Sequence, residues 1–227
     1  MAWQVVGRGV LWILAIVGGL FVITMVVWIV VGGPVTVWRV VRYGDTNIDD
    51  FTHYPGRTLR PANVPYTFGR SDQKLQIPAS ALADYGSEGE LERILEANDT
   101  VAFLVTQGDT IRYERYFQGH TASSPSQIFS VSKSVTSVLV GMAIDDGYLA
   151  GTAQPITEFV PELADEGFDE VQIGHLLTMM SGSSYRENDN PFGEHVILNY
   201  TPDLEARILE FEMERAPGEA WRYKSGD

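Results

Sequence analysis

Phe129-Ser130-Val131-Ser132-Lys133-Ser134-Val135-Thr136-Ser137 decides how the rest of this chain is read. Val131, Val135, Val138, Leu139 and Met142 recur at three- and four-residue steps, which predicts a helix from Ser130 to about Ile144, ended by Asp146-Gly147. Residues three apart share a helix face, so Lys133 can bring its amine to the Ser130 hydroxyl. A serine hydroxyl is a weak nucleophile and needs a base beside it. The helix N-terminus adds a field that favours a developing alkoxide. Burial or like charge can lower a lysine enough to accept a proton. The S-x-x-K spacing alone is weak, since Ser71-Asp72-Gln73-Lys74 also fits it. That second copy sits in a stretch without helical periodicity and with Pro78 just after. Ser130 stands apart by context: strands before it, a helix expected to be buried behind it, and small residues around it.

Upstream, Val101 to Thr106 is apolar enough for a buried strand, and Thr110 to Phe117 alternates. Gln107-Gly108-Asp109 between them predicts a β-hairpin. Leu91 to Leu95 predicts a short helix after a turn at Ser87-Glu88-Gly89. Downstream, Val171 to Met180 and Asp203 to Met213 predict helices, stopped at Ser181-Gly182 and before Pro217-Gly218. Strands first and a mostly helical region afterwards predict an α+β fold. Tyr223-Lys224-Ser225 follows at the far end.

Taken in order, these stretches resemble the serine β-lactamase and penicillin-binding-protein superfamily, nearest its class C, esterase and 6-aminohexanoate-dimer hydrolase branch. The Ser130 stretch is similar to its nucleophile motif. His175-Leu176-Leu177-Thr178-Met179-Met180-Ser181-Gly182 is similar to a helix ending in Ser-Gly, and Pro217-Gly218-Glu219-Ala220-Trp221 to the turn before the second motif. Tyr223-Lys224-Ser225 matches Y-x-N/S, and Gly226-Asp227 leans toward the 6-aminohexanoate-hydrolase-like members.

The resemblance implies an antiparallel sheet with flanking helices, and no cofactor. It implies that Ser130 forms an acyl-enzyme and that Lys133 and Tyr223 handle its proton. Tyr223 would be the acid for the leaving group and the base for the deacylating water. Ser225 would hydrogen-bond Lys133 or the substrate, and the Ser130 N–H would supply half of an oxyanion hole. The other half belongs to a strand bearing a third motif, K-T-G or a variant, which is expected beyond Asp227. The expected domains are an anchor over 1–33, an extended connector over 34–78, and the N-terminal portion of the hydrolase domain over 79–227.

Composition narrows the partners. Thirty acidic residues against 16 basic give a net charge of −14, which disfavours nucleic acid. The absence of cysteine excludes disulfides, thiolate nucleophiles and Cys-ligated zinc. His53, His120, His175 and His195 stand far apart and form no H-E-x-x-H pair, so no metal site is expected. His175 reads as a packing residue. No G-x-S-x-G is present, which disfavours an α/β-hydrolase triad.

Val10 to Val31 contains 22 residues and no charge, about 33 Å of helix and long enough to span a bilayer core. Trp12, Trp28 and Trp38 lie near its ends or just beyond. The run exceeds a usual signal-peptide core, and Gly32-Gly33-Pro34-Val35 is a poor cleavage site, so a retained single-pass anchor is expected. Arg39 and Arg42 against Arg8 slightly favour a cytoplasmic C-terminal side; the resemblance implies an extracytoplasmic domain, which is the reading taken. The expected function is a membrane-anchored serine hydrolase for a small or peptide-like amide, ester or lactam. The alternative is a non-catalytic module of the same fold that binds or senses.

Overall fold

The structure is a computed structural model that describes residues 2–71, 75, 80, 91–187 and 193–227, with the backbone alone for 2–11 and 13. In chain order the elements are α1 (Ala2–Gly32), α2 (Pro34–Tyr43), β1 (Gly69–Arg70), α3 (Leu91–Ala97), β2 (Ala102–Gln107), β3 (Thr110–Tyr116), α4 (Val131–Asp145), α5 (Ile173–Leu177), α6 (Glu194–Tyr200) and α7 (Leu204–Ile208). They fall into two units, Ile48–Gln127 and the combination of Met1–Asn47 with Ile128–Asp227. Lys74 of the second S-x-x-K and the expected turn at 87–89 lie outside the described residues.

In the Ile48–Gln127 unit, β2 and β3 form the expected hairpin, with Gln107 opposite Thr110 and a register shift between Val105 and Thr106. Gly108 takes the positive φ (56°) that this tight turn requires. β1 pairs in parallel with β3, giving the strand order β1-β3-β2. β2 is not the buried strand its apolar sequence predicts: exposed and half-buried residues alternate, and Leu104 faces outward. Cross-strand contact still shapes the pair, with the Phe103 and Tyr113 rings edge to face at 5.9 Å. Charge ties the helix to the sheet, since Arg115 Nε reaches Glu92 Oε1 at 2.9 Å.

The other unit holds the core. Ile156, Leu163, Phe168, Val171, Ile173, Tyr185 and Phe211 are buried together, with Val140, Leu149, Leu176, Leu177, Leu198, Ile208, Leu209 and Met213 packed around them. Much of this core sits on short elements, and the sequence reading overestimates two helices. α5 runs only from Ile173 to Leu177, because Val171 is used in an extended link and Met179 adopts φ 58°. Its neighbours Pro155 and Gln172 form a β-bridge. α7 ends at Ile208, and Met213 instead bridges Ser183. Asp203 begins α7 by accepting the Ala206 N–H at 3.0 Å. Gly182 is required where these strands meet: a Cβ there would lie 2.2 Å from the Arg215 carbonyl oxygen.

Two further expectations change. The segment expected as an extended connector from residue 34 is helical through Tyr43. α4, expected to be buried, has no buried residue; only Val140 joins the core cluster, Ile144 is half-buried, and Val131, Val135, Val138, Leu139 and Met142 are exposed. α1 contains a 19-residue stretch, Leu14–Gly32, of mean hydropathy 2.8, long and apolar enough to cross a membrane. A signal sequence and an anchor share that property.

Candidate active site

Ser130 is the N-cap of α4, yet its side chain makes no capping bond. The hydroxyl is thereby left for other partners at a position where serine is ordinarily spent on helix N–H groups. The turn that delivers it is tight. Phe129 sits at φ 44°, a left-handed conformation uncommon for a bulky residue. Its carbonyl accepts both the Ser132 N–H at 3.0 Å and the Ser132 hydroxyl at 2.6 Å.

One helical turn on, Lys133 Nζ lies 3.0 Å from Ser130 Oγ and 3.0 Å from Ser225 Oγ. It also stands 5.0 Å from the centroid of the Tyr223 ring. The structure therefore gathers all four residues singled out in the sequence, Ser130, Lys133, Tyr223 and Ser225, from segments more than 90 positions apart. The Tyr223 phenol is held below its ordinary value, first by a hydrogen bond with Ser130. Burial and the Glu187 charge oppose that shift, while Lys133 adds to it through a hydrogen bond and its charge.

A carboxylate missed in the sequence closes the cluster. Glu187 accepts the Ser225 N–H at 2.7 Å and the Ser225 hydroxyl at 2.9 Å. It also accepts the Tyr185 hydroxyl at 3.0 Å, and His195 Nδ1 lies 3.1 Å from its other oxygen. Burial first, then the Glu187 charge, push the Tyr185 phenol far above its ordinary value, so it acts as a neutral donor. The result is a continuous line from Ser130 through Lys133 and Ser225 to Glu187 and His195. Nothing local in Tyr185-Arg186-Glu187 signals this role; it arises from a contact 38 residues along the chain.

The middle residue of Tyr223-Lys224-Ser225 points the other way, into the protein. Lys224 is 3% exposed and donates to Ser181 Oγ (3.1 Å), Ser183 O (2.9 Å) and Ser183 Oγ (3.1 Å). Asp227 Oδ1 lies 3.6 Å from the ammonium and accepts the Ser181 hydroxyl at 2.6 Å. Burial lowers the Lys224 ammonium below its ordinary value, and Asp227 pulls it back. A buried pair whose lone pairs and protons are matched this way fixes geometry more than it adds stability. Here it ties the Tyr223–Ser225 segment to Ser181–Ser183. Gly226 adds to the fit, because a Cβ there would lie 2.7 Å from the Tyr185 ring.

His175 stays away from the cluster: its Nδ1 accepts the Gln172 N–H at 3.1 Å at the start of α5. Among the described residues, no three His, Asp or Glu side chains gather as a metal site would require.

Comparison with known proteins identifies the family. The Beta-lactamase family model matches residues 91–227. The 6-aminohexanoate-dimer hydrolase of Paenarthrobacter ureafaciens is 38% identical over 99 residues, covering 44% of this chain and 25% of that protein. A solved structure from Bacillus anthracis with a provisional 6-aminohexanoate-dimer hydrolase name superposes with a TM-score of 0.56 at 18% identity. That superposition covers 72% of this chain and 45% of the other, and at this identity it speaks for the fold alone. The matches thus span a quarter of the curated relative and under half of the solved structure. The family match takes in more than half of the chain and every residue of the cluster, and the chain belongs to the Beta-lactamase family.

Proposed function

We propose that this chain carries the nucleophile and proton-transfer groups of a membrane-anchored serine hydrolase that cleaves an amide, ester or lactam through an acyl-enzyme. The observation that carries the reading is Lys133 Nζ at 3.0 Å from both Ser130 Oγ and Ser225 Oγ, with Tyr223 beside it. Ser130 Oγ attacks the carbonyl carbon, and its proton passes to the Lys133–Tyr223 pair. A phenol already biased toward its anion by Ser130 and Lys133 suits that task. As the tetrahedral intermediate collapses, the bond from the carbonyl carbon to the amine or alcohol breaks, and the leaving group takes the proton from Tyr223. Water then attacks the acyl carbon, gives its proton to the same pair and releases the acid with Ser130 restored. Ser225, held by Glu187, keeps Lys133 in place. The Ser130 N–H at the head of α4 is the proposed first oxyanion donor.

An amide is the favoured substrate class within this reading. The curated relative's name specifies a dimer of an amino acid, whose two halves are joined by an amide. α1, with its apolar stretch Leu14–Gly32, is the proposed anchor, and the family resemblance favours a catalytic part outside the cytoplasm. The test is labelling of the natural full-length protein with a fluorophosphonate and with a fluorescent penicillin, side by side. Labelling by either that disappears in Ser130→Ala supports the reading. Labelling that survives this change, or none in the unaltered protein, overturns it in favour of a non-catalytic module.

A further inference from the structure

α2 has two faces that differ in what covers them. Thr36 and Val37 are buried, and Arg39 and Val40 are partly so. On the other side, Val35 is 44% exposed, Trp38 57% and Val41 71%. These three recur every third residue and share one side of the helix, with Arg42 exposed beside them.

The covered face is fastened to α6. The Arg39 guanidinium donates to the carbonyls of Tyr200 (3.1 Å) and Thr201 (3.0 Å) at the C-terminal end of α6. The Tyr200 hydroxyl donates to the Gly44 carbonyl at 2.6 Å, just past the end of α2, and the Tyr43 and Tyr200 rings stack at 6.5 Å. α1 joins the same contact: a Cβ on Gly32 would lie 3.7 Å from the Ile197 side chain. Between α1 and α2, Gly33 takes φ 80° and interrupts the helix, and Pro34 opens α2. α6 then reaches the active-site cluster through His195, whose ring contacts Glu187.

We propose that α2 is an interfacial helix: Val35, Trp38 and Val41 bed into the headgroup–acyl boundary of the bilayer that α1 crosses, and the opposite face holds the catalytic unit against that surface through α6. The proposal rests on the reading of α1 as a membrane anchor. An apolar strip set against a packed opposite face, two residues from the end of a spanning segment, has that bilayer boundary as its nearest apolar phase. Trp38 is the side chain suited to this depth, and Arg42 can extend toward lipid phosphates. With a net charge of −14 on the chain, apolar insertion rather than attraction to anionic lipid carries the contact. The hydrolase site is then not on a loose tether. It is held one short helix away from the membrane, where substrates at the lipid surface meet it.

The chain has no cysteine, so single substitutions report single positions. Trp38→Cys and Val41→Cys, each labelled with an environment-sensitive fluorophore, are reconstituted as the full chain in phosphatidylcholine vesicles. Ile23→Cys in the middle of α1 reports the anchor, and Glu205→Cys on α7 reports the aqueous side. The expected result is quenching of labels 38 and 41 by shallow spin-labelled lipid, with several-fold weaker iodide quenching than at 205, and quenching of label 23 by deep spin-labelled lipid. If label 23 is in lipid while 38 and 41 are open to iodide, the α2 proposal is overturned and the anchor stands. If labels 38 and 41 are shielded from both quenchers, protein covers the face, as a second copy would, and the proposal is again overturned. If label 23 is not lipid-quenched, the anchor reading fails and takes the proposal with it.

Discussion

Helix α4 and the 223–227 segment meet at Lys133 and Ser225, and they are buried in the reverse of the order that hydropathy sets. Val131, Val135, Val138, Leu139 and Met142 on α4 are all half-exposed or more. Lys224, which hydropathy would put in water, is enclosed among Ser181, Ser183 and Asp227. The difference separates two ways of building a site. α4 supplies spacing: local helix geometry alone sets Ser130 and Lys133 one turn apart. The 223–227 segment has no regular structure of its own and is placed by a buried, matched set of charges and hydroxyls.

The largest expected effect would break the α4 side. In the natural full-length protein, Ser130→Ala should lower fluorophosphonate labelling by at least about 10³-fold while leaving the melting temperature close to the unaltered value. Gel fluorescence and a thermal melt check both halves. Next comes the lock on the other side. Lys224→Met leaves Asp227 buried without its cation, which should cost about 3–5 kcal/mol, read by urea unfolding. A loss below about 1 kcal/mol, the worth of an exposed pair, would mean that the segment is placed by something else.

Glu187→Gln tests whether the two sides communicate. It keeps the shape but removes the charge facing Ser225 and His195. Turnover should fall by up to about 10²-fold with KM little changed, as for a lost positioning contact, and the pH–rate profile should shift. An unchanged profile with equal loss in kcat/KM and stability would mark Glu187 as merely structural. Two valines then calibrate the comparison. Val171 is fully buried and Val138 is 63% exposed. Val171→Ala should cost about 2 kcal/mol, and Val138→Ala no more than about 0.5 kcal/mol, by the same unfolding measurement.

The smallest expected effect is spectroscopic. The Tyr223 pKa is depressed in the folded protein, so phenolate forms at lower pH than for a free tyrosine, and any step using it as a base gains as pH rises through that depressed value. The 295 nm titration of the unaltered protein minus that of Tyr223→Phe should therefore lie below the ordinary tyrosine range. Because the hydrogen bond with Ser130 is the leading cause, Ser130→Ala should move that difference titration upward. An unmoved titration would show that Lys133 dominates instead.

Much of the site was legible before any coordinates. Ser130 and Lys133 follow from helical spacing, and the hairpin follows from alternation around Gly108-Asp109. Tyr223 and Ser225 rested on resemblance to a known motif, since nothing in their spacing joins them to α4. Glu187 carried no signal at all. α6 was missed because its seven residues are too few for periodicity to declare itself, and α5 and α7 were overextended because apolar periodicity continues where the backbone does not. Residues 34–43 read as a connector because they open a proline-punctuated stretch in which no period is sustained. Proline at the first helical position is well tolerated, and Arg39 finds carbonyls on α6.

The sequence by itself determined what is encoded within a turn or a run: the serine–lysine step, the hairpin, and a helix apolar enough to cross a membrane. Only the tertiary structure decided what depends on which distant groups arrive together. Lys224 is enclosed rather than solvated because Ser181, Ser183 and Asp227 satisfy it. Glu187 belongs to the site because Ser225 is brought to it. Hydropathy is a property of one residue, whereas the cost of burying a charge or exposing a valine is set by its neighbours.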